Sequence, residues 1–215
     1  MRCCVCFQLL KPGLSLKQMP AAAQAFSKNK KDSLSLSVLM KISQCQACGT
    51  VQHVGESVPY FKEAIRSSKF SPKMLDFRYK QFRKFIKKNK TIVSSVFEFG
   101  AGEGEHLEIF SKIGCKTYGI EGSETAQKIA LEKGHEVVHG FLDGEYLPPG
   151  LSEKSFDAVV SFNFIEHLPE PRKSLLLLTS LLNSDGIALL EVPNFDLIKS
   201  HHLFNEFIPD HRCYF

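Results

Sequence analysis

Phe97-Glu98-Phe99-Gly100-Ala101-Gly102-Glu103-Gly104 decides how the rest of the chain is read. Ser95–Phe99 has the composition of a short buried strand. Leu107, Phe110 and Ile113 then recur at helical spacing until Gly114 ends the run. Glycines between a strand and a helix allow a tight turn and close approach of a ligand to the backbone, beside the free N–H groups of the helix N-terminus. A G-x-G-x-G run alone is weak evidence, but acids flank this one. Glu98 stands just before the glycines, and Glu121 ends the next strand, 21 residues after Gly100. An acid at that second place can accept hydrogen bonds from both ribose hydroxyls of a nucleoside.

Working outward, strands and helices alternate. Lys116–Ile120 reads as the second strand. Ser123 caps a helix through Ala126, Ile129 and Ala130 that stops at Gly134. Glu136–Val138, Phe156–Phe162 and Ile187–Val192 complete five strands, with a Leu-rich helix over 173–183. This order predicts an α/β fold, a Rossmann-like, doubly wound, mostly parallel sheet. Upstream, Ser71-Pro72 opens a helix with Met74, Phe77, Phe82, Phe85 and Ile86 on its apolar face and seven basic residues on the other.

Five of the seven cysteines lie in the first 48 residues, four of them as Cys3-x-x-Cys6 and Cys45-x-x-Cys48. Two such pairs favour a metal over disulfides in a reducing compartment, and four thiolates suit a tetrahedral structural zinc. The stretch 34–42 between the pairs reads as a strand. Net charge is +4, but residues 1–90 carry about +14 and residues 91–215 about −10. The expected division is a zinc-binding module over 1–55, a connector and basic helix over 56–90, and a nucleoside-binding domain over 91–215. No apolar run reaches membrane-spanning length, and the start has no secretory core, so a cytoplasmic protein is expected.

The glycine run departs from the dinucleotide fingerprint G-x-G-x-x-G. Glu105 occupies the place of the third glycine, and Glu98 would sit badly beside a pyrophosphate. An acid there suits the cationic, phosphate-free methionine end of S-adenosylmethionine. An NAD-type oxidoreductase is the runner-up, and a structural glycine turn the bland alternative.

Glu98–Gly104, Tyr118-Gly-Ile-Glu121 and the run from Phe156 to Pro171 resemble successive motifs of the class I S-adenosylmethionine-dependent methyltransferases. By that resemblance Gly100, Ala101, Gly102 and Gly104 cradle the donor and Glu121 holds its ribose. Asp143 lies near the adenine, and Phe162 and Asn163 flank the methionine part. The zinc module, Ser67–Leu75, these motifs and Glu191-Val-Pro-Asn194 together resemble the sugar C-methyltransferases, which act on nucleotide-linked keto-deoxysugars. That family carries a Tyr-x-Glu-His catalytic stretch. Here it is matched by Ile208-Pro209-Asp210-His211, with His211 as candidate base, Asp210 to orient it, and Ile208 in place of the tyrosine. The implied chemistry is proton removal beside a ketone, then attack of the enolate on the sulfonium methyl.

Alternatives stay open. They are a different acceptor (O-methylation, or RNA, for which no recognised binding motif is present) and a donor-binding relative that works by association. Lys73, Arg78, Lys80 and Arg83 either meet a substrate diphosphate or form a solvated face. Glu166-His167 reads as architecture. The resemblance also implies two further strands and a C-terminal domain, so this chain alone is expected to be poorly stable or weakly active, with an unpaired edge at its fifth strand.

Overall fold

The computed structural model describes residues 1–20, 37–55, 69–89, 92–142, 147–152, 154–203 and 206–215. In chain order the elements are β1 (Leu14–Pro20), β2 (Ser37–Gln44), β3 (Val51–His53), α1 (Pro72–Lys88), β4 (Ser95–Phe99), α2 (Glu105–Ile113), β5 (Lys116–Glu121), α3 (Glu124–Glu132), β6 (Glu136–His139), β7 (Phe156–Phe162), α4 (Pro171–Ser180), β8 (Leu182–Glu191), α5 (Phe195–Ser200) and β9 (Cys213–Tyr214), with a 3-10 turn at Ile165–His167 before α4. They fall into two compact units. One comprises Ile65–Phe162 and Lys173–Glu191, the other Met1–Ala64, Asn163–Arg172 and Val192–Phe215.

The parallel-sheet unit has strand order β6-β5-β4-β7-β8, and every neighbouring pair runs parallel. This is the expected doubly wound topology. The chain direction across the sheet reverses between β4 and β7, and such a switch point opens a crevice at the carboxyl ends of the strands. One core packs α1 and α2 on the sheet through Phe82, Val96, Ile109, Phe110, Ala158, Val160 and Phe162. Phe82 is fully buried, and its ring stacks on Phe110 at 4.4 Å between centroids.

The inward face of α1 differs from the expected one. Met74 and Phe77 are 42% and 57% exposed, while Leu75, Tyr79 and Ile86 join Phe82 against the core. Positions 75, 79, 82 and 86 follow the 3.6-residue repeat more closely than the set containing 74 and 77. Ser71 caps the helix as expected, its hydroxyl accepting from Met74 N–H at 3.2 Å.

The second unit, the knuckle unit, is an antiparallel sheet of order β1-β2-β3-β9. Its last strand comes from the far end of the chain, with Val51 opposite Tyr214 and Gln52 opposite Cys213. That pairing is why residues 192–215 and 163–172 group with the N-terminal cysteines, whereas composition suggested one continuous block over 91–215. Tyr214 is fully buried among Met40, Ile42, Val51 and Ile198. Its hydroxyl donates to Ile208 C=O and accepts from Ile208 N–H, both at 3.0 Å, closing the 208–214 loop. Among the described residues no helix is long and apolar enough to cross a membrane.

Candidate functional site

The glycine loop leaves β4 and is held against β5 by its own backbone. Gly100 and Ala101 N–H both donate to Ile120 C=O, at 3.0 and 3.1 Å, and Gly104 N–H donates to Ala101 C=O at 2.9 Å. This path needs a glycine on the neighbouring strand. A Cβ on Gly119 would lie 2.9 Å from Ala101 Cβ and 3.1 Å from Glu98 O. Gly119 is therefore part of the loop's foundation, although only its place within Tyr118–Glu121 marked it in the sequence. Gly100 and Gly102 have φ of 77° and 55°. Gly104 has φ 82°, and a Cβ there would meet His135 at 2.7 Å.

Glu121, at the carboxyl end of β5, reaches this loop. Its Oε2 accepts from Gly102 N–H and its Oε1 from Ser123 N–H, both at 2.8 Å. A carboxylate has about four acceptor sites, so two remain for hydroxyl donors. Beside it the Phe141 ring lies against Gly122, where a Cβ would come within 2.0 Å of the ring. Phe141 went unnoticed in the sequence, where an aromatic two residues before Asp143 was its only signal. Asp143 itself lies outside the described residues.

Glu98 is 1% exposed and does not present an open carboxylate. Its Oε1 lies 2.9 Å from His106 Nδ1, while its Oε2 is buried without a hydrogen-bond partner. Burial pushes its pKa up, against the pull of His106. His106 packs on Phe162 with ring centroids 4.1 Å apart and the planes tilted by 32°, so Phe162 sits in an aromatic cluster with Phe82 and, through its ring face, Arg78. Asn163 is exposed, with φ 49°, a left-handed conformation that asparagine tolerates better than most residues. It belongs to the knuckle unit's part of the chain.

On the basic helix, Arg78 makes a bidentate pair with Glu191 at 2.5 Å, and Lys80 pairs with Asp76 at 2.6 Å. Arg83 lies over the Tyr79 ring at 5.6 Å. A groove of about 510 Å³ runs along this face, lined by Tyr79, Lys80, Arg83, Lys84 and Lys87, with Asp76 among them. Arg78 is thus committed to an internal ion pair.

In the knuckle unit the two cysteine pairs adopt matching turns. Phe7 N–H donates to Cys3 C=O and Gly49 N–H to Cys45 C=O, while Cys3 and Cys45 N–H donate to Gln8 and Thr50 C=O. Sγ atoms of Cys3 and Cys48 are 3.7 Å apart, and those of Cys6 and Cys45 are 3.5 Å apart. All four lie within 4.8 Å of one another, and none is in a disulfide. Four sulfurs around zinc at about 2.3 Å stand roughly 3.8 Å apart, so the residues fit that ion. Burial opposes ionisation of Cys3, but N–H groups of Cys6 and Val5 and the Gln52 amide bring its pKa down to about 6.

The candidate base lies in the same unit. His211 is 4% exposed, and burial together with His167 pushes its pKa down to about 3. Asp210, expected to orient His211, instead lies against His167: its backbone O and Oδ2 are 3.3 and 3.6 Å from His167 Nδ1. Burial raises Asp210 to about 6 and lowers His167 to about 4.

The methyltransferase-domain family matches residues 53–215, and the chain belongs to that family. C-methyltransferase NovU of Streptomyces niveus is 25% identical over 121 residues, 56% of this chain and 29% of NovU. An uncharacterized methyltransferase of Geobacillus sp. (strain WCH70) is 38% identical over 81 residues, 37% of each chain. The chain thus spans roughly a third of the length of the curated relatives it matches. Among solved structures, plantazolicin methyltransferase BpumL, in complex with a desmethylPZN analog and SAH, is similar at TM-score 0.53 and 18% identity, over 66% of this chain and 59% of that one. An S-adenosylmethionine-dependent methyltransferase from Clostridium acetobutylicum ATCC 824 gives 0.51 and 13%, over 66% and 58%. At these identities the likeness is one of fold.

Proposed function

We propose that the chain binds S-adenosylmethionine at the β4–α2 loop and serves methyl transfer to a small molecule, with C-methylation of a nucleotide-linked keto-deoxysugar as the acceptor chemistry. The observation that carries the donor assignment is the Glu121 carboxylate, set at the Gly102 and Ser123 amides on the strand next to the switch point. Gly100, Ala101, Gly102 and Gly104 would line the nucleoside, Glu121 the ribose, Phe141 and Asp143 the purine. By the resemblance, Glu98, Phe162 and Asn163 would serve the methionine end. Glu98 would act there through its buried, unpartnered oxygen, with His106 holding it in place.

C-methylation is supported by the name of NovU, and the sugar acceptor by the order of cysteine module, glycine loop and 208–214 loop. On this reading His211 removes the proton beside the ketone, and alignment of donor and acceptor does much of the rest. Asp210 would contribute through His167. Structural zinc held by Cys3, Cys6, Cys45 and Cys48 would keep the knuckle unit folded, in a reducing cytoplasm that leaves the thiols free.

The test is incubation with nucleotide-linked keto-deoxysugars, following conversion of the donor to S-adenosylhomocysteine and deuterium uptake beside the ketone. Uptake and turnover are expected together. Donor turnover on RNA or on a hydroxyl acceptor, with no uptake, would overturn the sugar reading and leave the methyl donor.

A further inference from the structure

Glu166, His167 and His211 converge in the knuckle unit, and nothing in the donor site or the four-cysteine cluster uses them together. One donor atom from each lies within 4.8 Å of the others. Glu166 and His211 are 1% and 4% exposed. His167 Nε2 is 3.9 Å from Glu166 Oε1, and the two imidazoles meet edge to face at 4.7 Å.

The hydrogen bonds around the rings set which nitrogens are available. A carbonyl oxygen can only accept, so His167 Nδ1, 3.3 Å from Asp210 C=O, carries the proton and leaves Nε2 as a lone pair. His211 bonds the Glu206 backbone, and its Nδ1 is buried without a partner. The backbone joins the two segments: Arg212 N–H donates to Glu166 C=O at 2.5 Å, tying the Ile165–His167 turn to the loop that carries His211. Imidazoles whose far N–H is held by the protein backbone, with the other nitrogen near a buried carboxylate, are arranged as metal ligands usually are.

We propose that Glu166, His167 and His211 form a second metal site, for a borderline divalent cation of the zinc type, with a position left open to water or another oxygen ligand. Metal–ligand bonds near 2.1 Å place donors roughly 3–3.5 Å apart. The three groups therefore close by about an ångström on binding, a shift within side-chain reach. This nitrogen–oxygen set differs in kind from the four thiolates, so the two sites are separable by ligand chemistry. The cation and a proton compete for the same His211 lone pair, so metal occupancy and the base role given above to His211 are alternative states of the site, the base acting only when this second site is empty. The inference does not rest on the methyl-transfer reading, because its readout needs neither donor nor acceptor.

The experiment is titration of the metal-free, reduced chain with cobalt(II), alongside metal analysis of the zinc-loaded protein. One equivalent is expected to give thiolate-to-cobalt charge transfer from the cysteine cluster. A second is expected to add weak visible bands with no further charge transfer, and the zinc-loaded chain is expected to hold two ions. Glu166→Gln and His167→Gln, each checked for retained cobalt–thiolate absorption as a sign of folding, are expected to lose the second equivalent and keep the first. Binding of one equivalent only by the wild type, or a second equivalent that persists in both variants, would overturn the proposal. Loss of charge transfer with the weak bands retained would overturn the cysteine site and leave this one standing.

Discussion

The two units hold themselves together by different physics. In the parallel-sheet unit, aromatic and branched side chains fill the space between helices and sheet, and Phe82, Phe110, Val96 and Val160 are all fully buried. In the knuckle unit the described core cluster is small, around Met40, Val51, Ile198 and Tyr214, and much of the buried interior is polar or sulfur: Cys3, Cys45, Cys213, Gln52, His53, Asp210 and His211. A large apolar core tolerates loss of any one contact at a cost of a few kcal/mol. A small unit with buried thiols and imidazoles depends on whatever cross-links them.

The largest expected effect follows from that dependence. Binding of structural zinc to four thiolates is worth about 10–16 kcal/mol in small zinc modules. Chelation, or Cys45→Ser, is therefore expected to unfold the knuckle unit while leaving the parallel-sheet unit's own melting transition, as read by calorimetry and hydrogen exchange. A single unchanged transition after metal removal would erase the contrast. Next, Phe82→Ala is expected to cost about 3–5 kcal/mol, shifting only the parallel-sheet transition and leaving zinc content unchanged.

A smaller effect concerns Asp157. Burial opposes its ionisation, but donors on Ser94, Asn183 and Ser95 outweigh it and carry its pKa from 3.8 to about 2. A carboxyl depressed on folding stabilises fully above its unfolded pKa and loses that contribution as pH falls through the folded value. Acid titration of the parallel-sheet unit should therefore show a fall in stability between pH 3.8 and about 2, and Asp157→Asn should flatten that segment. The smallest effect is at Phe7, which holds φ 61° at the turn position that Gly49 fills in the second cysteine pair. Phe7→Gly relieves a left-handed strain of about 1–2 kcal/mol, less glycine's extra chain entropy of about 0.5–1 kcal/mol. The Arg172 guanidinium lies over the Phe7 ring at 5.5 Å, and losing that contact gives back about 0.5–1 kcal/mol, so the knuckle unit's melting temperature is expected to stay nearly unchanged.

The same contrast governs what the sequence revealed. The glycine loop, its five strands and the two cysteine pairs are local patterns: period-2 and period-3.6 apolar runs, capping residues and x-x spacings. All of these stand within a few residues of one another. The pairing of β9 with β3 joins Tyr214 to Val51 through two residue pairs, and so short a strand leaves no periodic signature. For that reason the grouping of the 208–214 loop with the cysteine turns was not legible. Adjacency in sequence couples Asp210 to His211, whereas the backbone turns Asp210 toward His167. In the sequence, Glu98 beside the glycines reads as facing a ligand. Its pairing with His106 was hidden because it spans a strand end, a loop and the first turn of α2.

The most direct test is calorimetric titration of the zinc-loaded chain with S-adenosylhomocysteine, comparing wild type with Glu121→Ala. Saturable binding that weakens tenfold or more in the variant, about 1.4 kcal/mol, is the expected result. Equal affinity in the two proteins, or no binding by the wild type, would contradict the assignment of the β4–α2 loop to a methyl donor.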